Sequence, residues 1–86
     1  MKIKDGFLLR RVAGETVVLP VGGELNLNMM ITLNDTGTFL WERLRSETDE
    51  NTLAAALLAE YDVDEATAKK SVAAFVKKLN ENGFLE

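Results

Sequence analysis

The chain has 86 residues with 10 Lys+Arg and 14 Asp+Glu, a formal net charge of −4, and neither His nor Cys. One small domain spanning residues 1–86 is the expected organisation, and a chain of this size buries only about 60–65 % of its unfolded surface, which leaves little room for a deep enclosed active site. Without imidazole or thiol there is no Cys or His nucleophile, no disulfide and no nitrogen or sulfur metal ligand, so zinc and iron–sulfur chemistry is excluded and neither catalytic residues, metal nor cofactor are expected. No run reaches the ~18 apolar residues of a membrane span, and Met1–Arg11 lacks a signal-peptide apolar block, so a cytoplasmic protein without membrane contact is expected.

The first elements are strands. Phe7–Val12 and Thr16–Leu19 are apolar and β-branched runs separated by Ala13-Gly14-Glu15, which suits an antiparallel hairpin. Val21-Gly22-Gly23-Glu24 is turn material. Leu25, Leu27, Met29, Ile31 and Leu33 then alternate with Asn26, Asn28, Met30, Thr32 and Asn34, a period of two that buries one face of a third strand.

At Asn34-Asp35 the period changes to that of a helix. Either residue can accept from free backbone amides at a helix start, and Phe39, Leu40, Trp41 and Leu44 follow at spacings of three to five, giving a first helix over about 35–45. Thr48 or Asp49 starts a second, whose buried stripe is expected to hold Leu53, Leu57 and Tyr61 with Ala54 and Leu58. Asp64 caps a third, in which Ala68, Val72, Phe75, Val76 and Leu79 fall on one face before Asn82-Gly83 ends it. The fold class is α+β: a three-stranded antiparallel sheet followed by three helices, in the manner of a winged helix-turn-helix.

Charge is distributed in blocks. Residues 1–45 hold six bases and five acids, 46–65 no base and seven acids, and 66–86 four bases and two acids. The acidic block repels phosphate, whereas the surface around Lys69, Lys70, Lys77 and Lys78 tolerates an anion. The block lacks the alternating ligands and central glycine of a calcium loop and reads as a solvated helix face.

Several motifs are better explained by structure than by chemistry. Asp35-Thr36-Gly37 spells the aspartic-protease triplet, but that chemistry needs paired loops, and here a helical pattern follows at once. Gly22-Gly23 precedes a strand, not the helix N-terminus that phosphate binding requires. An acyl carrier would need a modifiable serine after an aspartate at a helix start, and Ser46 and Ser71 do not supply one. A winged-helix DNA-binding regulator is the alternative function, carried by the lysines of the third helix. Against it, that helix offers no Arg, Asn or Gln for base edges before Asn80, and seven acids lie upstream.

The third strand has a different potential. Left at a sheet edge, it either needs protection, joins a second copy in a dimer, or accepts an extended peptide through main-chain hydrogen bonds, with a neighbouring helix as the second wall of the groove. Lys69, Ala73, Val76 and Lys77 lie along one side of the third helix, where small residues admit a peptide and lysines meet its acids; a solvated lysine face explains the same spacing.

Leu33-Asn34-Asp35-Thr36-Gly37 leading into Phe39-Leu40-Trp41-Glu42, then Thr52-Leu53, Leu57 and Tyr61-Asp62-Val63-Asp64, then Val72, Phe75-Val76, Leu79 and Gly83-Phe84-Leu85 together resemble the PqqD family. The resemblance covers nearly the whole chain. It implies a non-catalytic peptide chaperone, a recognition element for ribosomally made precursor peptides, of the kind used in pyrroloquinoline quinone biosynthesis. The leader of the precursor would add as a strand at Asn26, Leu27, Asn28, Met29, Met30, Ile31 and Thr32, and pack on Lys69, Ala73, Val76 and Lys77. The implied partners are that leader peptide and a radical S-adenosylmethionine or other peptide-modifying enzyme, with no nucleic acid, and with the chain as monomer or dimer.

Overall fold

A computed structural model describes residues 1–20 and 31–86. Its elements run β1 (Phe7–Val12), β2 (Glu15–Pro20), β3 (Ile31–Leu33), α1 (Asp35–Arg43), α2 (Glu50–Glu60) and α3 (Glu65–Glu81). The strands form one antiparallel sheet in the order β1-β2-β3. The α+β class and the order of elements are those read from the sequence.

The β1–β2 hairpin is tighter than its sequence suggests. Val12 pairs with Glu15, leaving Ala13 and Gly14 alone in the loop, at φ 51° and 82°. Two consecutive positive φ values define a two-residue turn whose twist matches that of the strands. Glycine adopts this geometry freely; alanine does so at a steric cost.

Each helix start is secured by a side chain that satisfies an amide the helix itself cannot. Asn34, not Asp35, caps α1: the Gly37 amide donates to its Oδ1 at 2.7 Å. Asp49 accepts from the Thr52 amide at 2.7 Å and Asp64 from the Thr67 amide at 2.6 Å. The end of α3 is closed by paired bonds, Phe84 amide to Leu79 carbonyl at 3.0 Å and Gly83 amide to Asn80 carbonyl at 3.2 Å, around Gly83 at φ 75°. This left-handed closure points Phe84 back into the core, where it is fully buried.

The segment before β1 is also structural. Ile3 bridges Leu85, the Ile3 amide donates to the Leu44 carbonyl just past α1 at 2.9 Å, and the Lys4 amide donates to the Phe84 carbonyl at 2.9 Å. Backbone near the start of the chain thereby satisfies a free carbonyl just past α1 and is tied to the segment that follows α3.

The core centres on Trp41, 1 % exposed, with Leu40, Leu44, Leu53, Val72, Leu79 and Val18 around it. Phe84 meets Phe7 and Trp41 edge-to-face at centroid distances of 4.7 and 5.5 Å. A second edge-to-face pair, Phe39 and Tyr61 at 5.5 Å, ties α1 to the end of α2 beneath the Arg43 guanidinium. The buried stripes are narrower than expected. In α2 they comprise Leu53, Ala54 and Leu57, with Leu58 left 39 % exposed; in α3 they comprise Ala68, Val72 and Leu79, with Phe75 and Val76 only half-buried. In β3, Leu33 is buried and Thr32 exposed, as alternation requires. The rest of the expected third strand, Leu25–Met30, lies outside the described residues.

Candidate peptide-binding groove

The sheet has β2 at its centre, so β3 carries an outer edge with no strand paired to it among the described residues. The short β3 is held in register by Thr16↔Leu33, Val17↔Thr32 and Val18↔Ile31. Burial of Leu33 and Val18 fixes which face looks inward, since a slip of one residue would turn Leu33 into solvent.

Two clefts border α3 at this end of the molecule. The wider, about 550 Å³, runs from the hairpin residues Arg11, Glu15 and Thr16 past Thr32 and Leu33 to Phe75 and Lys78. The narrower, about 340 Å³, lies between the start of α1 and the α3 residues Ser71, Ala74, Phe75 and Lys78. Asn34, Gly37, Phe75 and Lys78 line both, so the two are halves of one groove that meet at the Phe75 ring.

Gly37 explains how the ring can sit there. A Cβ at this position would stand 3.3 Å from Phe75 Cε1, 3.2 Å from Asn34 Oδ1 and 3.5 Å from Leu33 Cβ. Its lack of a side chain therefore lets α3 approach α1 while Asn34 keeps its capping bond. The Asp35-Thr36-Gly37 triplet is the first turn of α1, and its glycine serves packing.

The groove's charges come from opposite walls. Arg11, Glu15, Asp35 and Lys78 line the wider cleft, whereas Lys78 is the one charged residue lining the narrower cleft among the described residues. The carboxyls shifted by the fold lie elsewhere. Asp49 and Asp64 titrate below their ordinary 3.8, chiefly because the Thr52 and Thr67 amides donate to the ionised form, aided by the threonine hydroxyls and opposed by slight desolvation. Both are helix caps.

The residues expected to bind peptide are distributed as follows. Ile31 and Thr32 stand on the edge strand, and Thr32 lines the wider cleft. Asn26, Leu27, Asn28, Met29 and Met30 lie outside the described residues. Lys69, Ala73, Val76 and Lys77 line neither cleft. On a helix of 3.6 residues per turn, the core stripe Ala68–Val72–Leu79 separates two flanks, and these four occupy the flank opposite Ser71, Ala74, Phe75 and Lys78. Lys69 pairs with Glu65 at 3.0 Å and Lys77 with Glu81 at 3.9 Å, as solvated helix faces do. Periodicity marks both flanks equally and does not say which one faces the sheet edge. The half-buried Phe75, grouped with the core by spacing alone, is the groove residue that periodicity hides.

Solved structures resemble this fold over its whole length. TbiB1 in complex with the TbiA(beta) leader peptide matches with a TM-score of 0.76 at 26 % identity, covering 100 % of this chain and 95 % of that one. Lasso peptide synthetase B1 complexed with the leader peptide matches with a TM-score of 0.73, also at 26 % identity, covering 96 % and 93 %. No curated protein matches the chain. The family model for coenzyme PQQ synthesis protein D (PqqD) matches residues 15–85, a span that takes in β2, β3 and all three helices. The groove is thus built almost wholly from the part of the chain that carries the family pattern, and the chain belongs to the PqqD family.

Proposed function

We propose that the protein is a peptide recognition element: it binds the leader of a ribosomally made precursor peptide as an added strand and presents it to a modifying enzyme. The observation that carries this reading is the outer edge of β3, unpaired among the described residues, beside a groove walled by α3. Its family, and the leader-peptide complexes formed by its structural relatives, support the same reading. The peptide's main chain bonds along residues 26–32, of which Ile31 and Thr32 are described and stand on β3, and its side chains fall alternately into the groove against Ser71, Ala74, Phe75 and Lys78. Lys69, Ala73 and Lys77 are exposed on the other flank of α3, and Val76 there is half-buried against the core.

The protein contributes no chemistry of its own in this reading. A chain with no His and no Cys, and with a shallow groove, is suited to holding a peptide while a partner enzyme, of radical S-adenosylmethionine or another peptide-modifying type, acts on it. Ordering a disordered leader costs about 2–5 kcal/mol, so affinity near micromolar, about −8 kcal/mol, is expected. The test is an amide-shift NMR titration with the leader of a precursor peptide encoded beside this gene, run in parallel with duplex DNA. Shifts at Ile31, Thr32, Gly37, Ser71, Phe75 and Lys78 on adding peptide are expected. No response to peptide, with a salt-sensitive response to DNA, would transfer the function to the winged-helix alternative.

A further inference from the structure

We infer that Lys78 makes the narrower cleft selective for a peptide carrying an aspartate or glutamate beside the apolar side chain that it seats on Phe75. This rests on the peptide-binding reading above and specifies the chemistry of the peptide. The floor of that cleft is apolar, from Leu40, Ala74 and Phe75, and Ser71 and Thr36 add hydroxyls. Lys78 is its single charged residue among the described residues, whereas the wider cleft is also lined by Arg11, Glu15 and Asp35.

Lys78 also differs from Lys69 and Lys77 of its helix. Lys69 and Lys77 are held by Glu65 and Glu81, but Lys78 makes no ion pair among the described residues. The sequence gives the reason: one turn back from Lys78 is Ala74, one turn on is Asn82, and Glu81 serves Lys77. Its charge is therefore available to a ligand, next to an apolar surface along which the lysine stem can lie. The net charge of −4 disfavours acidic peptides at long range, but at physiological salt such repulsion decays within about 8 Å, so a lysine at contact distance decides the preference. A pair of this kind at an exposed site changes affinity by up to about fivefold.

The experiment is selection of a displayed library of random 12-residue peptides against the wild-type protein, Lys78→Gln, Lys78→Glu and a Lys70→Gln control. Lys70 is exposed on the same helix and lines neither cleft, so it reproduces the charge change alone. The expected result is a wild-type pool with Asp or Glu at a fixed offset from an apolar residue. That preference should persist in Lys70→Gln, vanish in Lys78→Gln and turn to Lys or Arg in Lys78→Glu. Enriched apolar peptides with no acid preference, or a preference indifferent to Lys78 or lost equally in Lys70→Gln, would overturn the inference and leave peptide binding standing. Failure to enrich any peptide, with all four proteins folded by thermal denaturation, would instead remove the peptide-binding reading on which it rests.

Discussion

Replacing Gly37 by alanine puts a methyl group where Phe75, Asn34 and Leu33 already meet, and the outcome depends on which of them yields. The new Cβ would stand 3.2 Å from Asn34 Oδ1 and 3.3 Å from Phe75 Cε1, each short by a few tenths of an ångström. Asn34 is held by its 2.7 Å bond from the Gly37 amide, and Leu33 is buried in the core. Phe75 is half-buried with open groove on the side away from Gly37, so the ring should move. Alanine gains up to about 1 kcal/mol over glycine within a helix. Disturbing the cap would cost about 1 kcal/mol. Stability should therefore change by no more than about 1 kcal/mol, or about 4–8 °C in Tm for a chain of this size. Binding should respond more: a ring pushed into the groove narrows both halves at once, and a loss of about 1.4 kcal/mol raises Kd tenfold. Thermal denaturation and calorimetric titration with a bound peptide measure the two separately. If Gly37→Ala lost more than about 2 kcal/mol of stability while Kd held, the cap rather than the ring would have given way, and the assignment of Phe75 as the movable wall would be wrong.

Three other outcomes follow from the same structure. Trp41→Ala and Leu79→Ala remove fully buried side chains and should cost about 3–5 and 2–5 kcal/mol in denaturant titrations, whereas Phe75→Ala, half-buried at the groove, should cost less stability than either and more peptide affinity. Ala13→Asn should stabilise by about 1 kcal/mol, because Ala13 sits at φ 51° in a two-residue turn that asparagine tolerates; unchanged stability would refute a strained turn. Asp49 and Asp64 have lowered pKa values, so their capping contribution is complete above the unfolded value of 3.8 and is lost as pH falls through the lower folded values. An Asp49→Asn/Asp64→Asn variant, which keeps an acceptor but cannot titrate, should lose less stability than wild type between pH 4 and pH 2, as followed by circular dichroism.

What could be read from the sequence was whatever depends on neighbours along the chain. The strand hairpin, the three caps and the Asn82-Gly83 stop are local, and residue type with a spacing of two to four positions determines them. Core membership was legible where a stripe is deeply buried, as at Ala68, Val72 and Leu79, and failed at its margins, where Leu58 is exposed and Phe75 touches the core while half its surface stays open. The bridge Ile3↔Leu85 left no trace in periodicity, because it joins single residues from opposite ends of the chain. The flank of α3 that meets the groove was hidden for a related reason. Handedness around a helix is set by the tertiary packing of α1 and the sheet, and a row of lysines looks alike on either side.

That division has a consequence for how so small a domain can bind anything. Its tightly packed aromatics, Phe7, Trp41 and Phe84, gather beside the Ile3↔Leu85 bridge, where backbone from both ends closes over the core. Phe75 stands apart from that trio, its ring bordered by a glycine on one side and open groove on the other. A side chain that the fold needs for stability cannot also move to admit a ligand without loss. Placing the rigid aromatics at the closed end and a single yielding ring at the groove lets the protein keep its fold while β3 and α3 receive a peptide. Substitutions should accordingly separate into two groups, with Trp41 and Leu79 governing stability and Gly37, Phe75 and Lys78 governing affinity. A groove variant whose loss of binding tracked its loss of stability one for one would show that the two regions form a single unit.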